Sequence, residues 1–182
     1  MTPEEALKQF RVVYKARAQS AHAQTLISRV ERDFFRKYSE KPEDALPWLE
    51  TATELLKGAI HVEDVYIELM IERMDALTNL KRVEEAASLA EHLATDTASS
   101  LPYETRLEYL AKQFEAVDAA GNAVRSILAF QKYNDKSAQK QPQTPNVLRL
   151  RARILAEIGK VYMHERELER AGKVLREAAL CL

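Results

Sequence analysis

Hydrophobic positions recur at intervals of three and four residues along nearly the whole chain, the period of one face of an α-helix. Leu7, Phe10 and Val13/Tyr14 form the first such set, and Leu26/Ile27, Val30, Phe34 and Tyr38 the second, with a break near Gln19-Ser20. Ala45, Trp48/Leu49, Ala52 and Leu55/Leu56 make the third stripe, and Val65/Tyr66, Leu69/Met70, Met74 and Leu77 the fourth. Ala86/Ala87, Leu89/Ala90 and Leu93 follow, then helical patterns over about 100–117, 124–133, 146–163 and 167–182. No stretch alternates with the period of two that a half-buried strand requires. The pattern predicts about nine helices and no strand.

Punctuation between the stripes agrees with this reading. Thr2-Pro3-Glu4-Glu5 carries an N-cap residue, a proline in the first turn and a glutamate that closes a capping box. Lys41-Pro42 ends the second helix, because a residue before proline avoids the α region. Asp44 is then the expected N-cap of the third helix, which places Pro47 in its first turn, and Gly58 closes it. Ser100 with Pro102 starts another helix, Gly121-Asn122 is a turn, and Thr144-Pro145 repeats the Thr2-Pro3 start after the polar linker 137–144.

Composition narrows the class. Of 182 residues only 4 are Gly and 6 Pro, too few for the closely spaced turns of a β-sandwich. The four glycines (58, 121, 159, 172) are scattered, so no G-x-G-x-x-G or Walker loop can be built. A single cysteine, Cys181, rules out an intramolecular disulfide and points to a reducing, cytoplasmic setting. No signal-peptide pattern and no 18-residue apolar run is present. The net charge of −1 argues against direct nucleic-acid binding and conceals a block structure. Residues 1–40 carry 8 basic and 5 acidic groups, 41–80 carry 3 and 9, 81–120 carry 4 and 8, and 121–182 carry 12 and 6.

The helices also repeat. The final pair reads Leu155-x-x-Ile158-Gly159-x-x-Tyr162, followed by Ala171, Leu175 and Ala178. Gly159 and Ala171 would let two antiparallel helices approach, Tyr162 would fill the space between repeats, and Ala178 would admit a neighbouring helix. This segment resembles a tetratricopeptide (TPR) repeat. Weaker registers run through Met70, Met74, Leu77, Ala86, Ala90 and Leu93, and through Leu110, Phe114, Val117, Ser126, Phe130 and Tyr133, with Met74 and Phe114 standing where the family has glycine. Small residues at 45, 86, 126 and 171 lie 40–45 positions apart, longer than the family's usual 34. That spacing is similar to the extended TPR-like arrays of bacterial signalling proteins, and HEAT-like arrays stay open. The resemblance implies one all-α domain over 1–182, a right-handed solenoid of antiparallel helix pairs near 21–58, 62–96, 101–138 and 146–182, with an extra N-terminal helix over 3–18.

Catalytic and metal constellations are missing from the pattern. The four histidines (22, 61, 92, 164) include no i, i+4 pair, and His164-Glu165 lacks the second histidine of H-E-x-x-H because Leu168 stands there. Cys181 on an apolar face reads as a small buried residue rather than a nucleophile. Glu68, Glu72 and Asp75 share one helix face with Glu63 and Asp64 nearby, which reads as solvated charge. Arg149, Arg151 and Arg153 spread around their helix, and Trp48 reads as core. No enzyme activity, cofactor or metal is expected.

In TPR arrays the first helix of each pair lines the concave groove. The resemblance therefore assigns Glu68, Ile71, Asp75 and Asn79, then Glu108, Ala111, Glu115 and Asp118, then Arg153, Ala156, Lys160 and His164 to a partner-binding groove running from acidic to basic. Such charge selects partners and steers association. The clamp that grips chaperone C-termini needs Lys and Asn on successive first helices, where this chain has Ile71/Asp75 and Ala111/Glu115. The apolar end Ala178–Leu182 lacks a polar capping helix, so it is expected to be covered by further chain or by a second copy, or to fold back. The reading is a non-catalytic protein- or peptide-binding module, the sensory or regulatory part of a larger bacterial signalling protein; a scaffold that homodimerises through a terminal helix face is the alternative.

Overall fold

The computed structural model describes residues 3–17, 20, 29, 32–33, 41–59, 62–93, 101–121, 126, 130, 133 and 138–182. Seven helices and no strand occur among them. The helices expected over 21–40 and 122–133, and the Thr2 and Ser100 caps, fall wholly or mainly outside the described residues. The chain forms two compact units, residues 1–82 and 83–182.

The first unit holds α1 (Pro3–Arg17), α2 (Pro42–Leu56) and α3 (Glu63–Asn79). Phe10 and Tyr14 of α1 are buried, with ring centroids 5.9 Å apart, and Arg11 of α1 donates to Thr51 Oγ1 of α2 at 3.0 Å. Leu46, Trp48, Leu49, Ala52 and Leu56 give α2 its buried face. The start of α2 differs from expectation. Lys41 is the N-cap with an extended backbone, Pro42 takes the first helical position, and Asp44 lies inside the first turn. Pro42 fixes a helical φ without needing a donor there, so the helix begins two residues before Asp44 could cap it. Pro47 consequently sits within the helix. A type II turn ends α2: Ala59 N–H donates to the Leu56 carbonyl at 3.0 Å, and Gly58 takes the φ of 81° that this turn demands.

Burial on α3 exceeds a single stripe. Besides Val65, Leu69, Met70, Met74 and Leu77, both Ile67 and Ile71 are enclosed. The helix closes with Lys81 in the left-handed region (φ 64°), Arg82 N–H donating to Leu77 O at 2.9 Å and Lys81 N–H to Thr78 O at 3.0 Å. This is a Schellman closure made without glycine.

The second unit contains α4 (Val83–His92), α5 (Tyr103–Ala119), α6 (Pro145–His164) and α7 (Leu168–Leu180), packed in that order. Pro102 is the N-cap of α5, so this proline precedes the first turn instead of entering it. Small residues let α4 lie close on α5: Ala86, Ala87 and Ala90 are all buried. The buried Gln113 amide of α5 donates to the Ala90 and Leu93 carbonyls, both at 2.9 Å, satisfying the end of α4. Thr144 caps α6 as expected, its hydroxyl accepting from Val147 N–H at 3.2 Å. Arg151, buried on α6, reaches back to Gln143 Oε1 at 2.7 Å, which ties the linker to the helix it precedes. Between α6 and α7, Arg166 (φ 60°) repeats the Lys81 closure, with Glu167 N–H donating to Tyr162 O at 2.9 Å.

The close approach assigned to Gly159 is present. A Cβ built there would lie 2.4 Å from Leu175 Cδ2, so α6 and α7 touch where no methyl group fits. Sixteen residues apart in the preceding register, Phe114 and Phe130 make an edge-on contact at 4.5 Å. The same pair of positions is thus glycine over leucine in one case and two phenyl rings in the other. Cys181 packs with Ala152, Leu155 and Ala178, as its sequence context suggests.

Candidate interaction face

Contacts between α5 and α6 set their direction. Asn146 donates to Glu104 near the start of both helices, Arg153 of mid-α6 meets Glu115 further along α5, and Glu157, one turn beyond Arg153, lies beside Asp118 near the end of α5. The two helices therefore run side by side in the same direction, as first helices of successive repeats do. Their facing edges carry most of the charge assigned to the groove.

Glu115 Oε1 accepts from both Arg153 Nη2 (2.6 Å) and Arg153 Nε (3.2 Å). Both side chains stay about two-fifths exposed, so the pair is a surface feature. Lys160 Nζ lies 2.6 Å from Glu157 Oε1, one turn along α6. Burial pushes the Glu157 carboxyl above its ordinary value, the Lys160 ammonium draws it back, and neighbouring Asp118 raises it again. Lys160 is itself raised, chiefly by its bond to Glu157. Glu108 and His164 are exposed.

On α3 the expected residues separate. Glu68 is bound by Arg32, as Asp64 is by Arg29 at 2.9 Å. Asp75 is partly exposed and Asn79 fully so, while Ile71 at 2% exposure belongs to the core, as does Ala111 on α5. Helical spacing predicts one continuous surface for the α3 set, but packing takes the middle of it. Glu157 and Arg32 are not among the residues that sequence reasoning singles out. For Arg32 the signal is an opposite charge 36 residues away, as Arg29–Asp64 and Glu115–Arg153 are 35 and 38 apart, whereas Glu157 is bound by Lys160 one turn along its own helix.

Among the described residues no three His, Cys, Asp or Glu side chains are grouped to hold a metal ion, and no helix is long and apolar enough to cross a membrane. No family model and no curated protein matches the sequence. A solved structure does match: a Podosopora anserina kinesin light chain with nearly identical TPR-like repeats, 16% identical, with a TM-score of 0.60 over 98% of this chain and 86% of that one. The chain has a TPR-like repeat fold. At this identity the likeness concerns the fold alone. TPR-like folds generally serve as protein-interaction modules and are typically non-catalytic.

Proposed function

We propose that this TPR-like chain is a non-catalytic module that binds a protein or peptide along the first-helix face of α5 and α6. The observation that carries this is the ladder of charge between two parallel helices: Glu115–Arg153, then Asp118, Glu157 and Lys160, with Glu108 and His164 exposed beside it. Four acids (Glu108, Glu115, Asp118, Glu157) stand there against two bases (Arg153, Lys160), so the face carries both signs with an excess of negative charge. It suits a segment that carries both signs with an excess of basic residues, and it disfavours a uniformly acidic ligand. Glu68, Asp75 and Asn79 of α3 offer a second set of polar contacts of the same kind. The long 40–45-residue period supports a place in a bacterial cytoplasmic regulator, where such modules sense or recruit.

Simple charge reversal at Glu115 would break its bond to Arg153 as well as change the surface. The sharper test is the exchange Glu115→Arg with Arg153→Glu, which retains the interhelical pair but inverts the pattern. Peptide-array or pull-down partners of the wild type should be lost by the exchanged protein while its Tm changes by less than about 2 °C. Retention of every partner would refute the reading.

A further inference from the structure

Among the described residues, nothing covers the outer face of α7. Leu168, Gly172, Leu175, Ala179 and Leu182 follow one another at spacings of four and three, the period of a helix–helix seam. Leu168 is 70% and Leu182 91% exposed, and Leu175 is partly exposed. Gly172 adds an independent observation. Glycine inside a helix is unfavourable relative to alanine, and a Cβ at Gly172 would meet nothing within 4 Å. Gly159 is explained by Leu175; nothing among the described residues explains Gly172. A glycine in the middle of an open apolar seam is what the close approach of another helix requires.

We infer that α7 pairs with α7 of a second copy, antiparallel, about a two-fold axis passing between residues 172 and 175. In that register each Leu175 lies over the partner copy's Gly172 and each Leu168 over its Ala179, so both leucines within the helix face small residues, while Leu182 lies beyond the paired stretch. The flanking charges agree. Glu169 and Arg176 edge the same side of the seam, and the two-fold axis brings Glu169 of one copy within about 3 Å, along the axis, of Arg176 of the other. Both residues are exposed, and Arg176 has no ion-pair partner among the described residues, while Glu169 holds Lys173 at 2.6 Å on its outer side. The pair therefore occurs twice, as an isologous contact demands. The paired stretch from Leu168 to Ala179, about 17 Å long, falls at the small end of specific interfaces, so the dimer is weak and forms in the micromolar range or above. This inference stands on α7 and is independent of the binding face on α5 and α6.

Sedimentation of the full chain from low micromolar to near-millimolar concentration tests it. The mass should rise from one chain to two and stop there. Gly172→Ala should raise the Tm of dilute protein by about 2–4 °C, since the methyl group has room and favours the helix. The same change should weaken association about tenfold by intruding under the partner copy's Leu175. Glu169→Arg should weaken the dimer, and adding Arg176→Glu should restore it. A chain that stays monomeric throughout, a mass that climbs past two copies, or a Gly172→Ala protein that associates unchanged would each overturn the inference.

Discussion

Gly159 owes its place to a neighbour 16 residues away. Leu175 occupies the space that any Cβ would need, with Cδ2 at 2.4 Å and Cγ at 2.6 Å from the added atom. Gly159→Ala would gain about 1 kcal/mol of helix propensity and incur about 1–3 kcal/mol of overpacking, so dilute protein should lose about 1 kcal/mol, or about 2–4 °C in Tm. Removing Leu175 abolishes the conflict. In a Leu175→Ala background the same Gly159→Ala change should stabilise, by up to about 1 kcal/mol, and thermal melts of the four proteins in the cycle measure the coupling. Additive effects would show that the two residues do not meet. This contact was legible in the sequence because one residue type served one purpose at a known spacing. Met74 and Phe114 occupy the corresponding positions with large buried side chains. There the spacing alone disclosed the register, and the packing needed the structure.

Helix starts and stops show a similar division. Stripes of hydrophobic residues located every described helix, but the boundaries depended on which local signal prevailed. Proline at the first helical position outranked Asp44 as the start of α2, leaving Pro47 inside the helix with no amide to offer the Glu43 carbonyl. Two closures, at Lys81 and Arg166, use left-handed residues that carry side chains. No glycine marked them, and they follow from the helices on either side. Pro47 yields a prediction at this scale. Its side chain is exposed, so Pro47→Ala removes no packing and restores one helical hydrogen bond. Loss of proline's restraint on the unfolded chain offsets part of the gain. A net stabilisation of about 1–2 kcal/mol is expected, seen as a higher denaturant midpoint with an unchanged slope. An unchanged or lower midpoint would mean that α2 depends on the bend that proline imposes.

Charge is where local reading stops and the whole molecule begins. The blocks of excess charge could be counted along the chain, but which acid meets which base depends on residues 35–38 apart, on different helices, lying side by side. That pairing turns expected free groove charges such as Glu68, Glu115 and Arg153 into contacts between neighbouring helices. It also links stability to pH at Glu157, whose side chain is only 13% exposed. Burial raises the Glu157 carboxyl above its ordinary 4.5, so the folded state holds this proton more tightly than the unfolded chain does. The stabilisation from protonation is fully present below the unfolded value and is lost as pH rises through the raised folded one. Lys160 is also raised, so its contribution persists through neutral pH and disappears only as pH climbs past its own folded value, above the ordinary 10.5. Glu157→Gln imitates the protonated carboxyl at every pH. Its Tm should therefore match the wild type below pH 4.5 and exceed it at neutral pH, with the difference opening across the weakly acidic range. Comparing the two proteins by difference cancels the titration of all other carboxylates. A Glu157→Gln protein less stable than wild type at neutral pH would mean that the Lys160 ion pair outweighs burial at this site, and that the α5–α6 ladder is held by charge rather than strained by it.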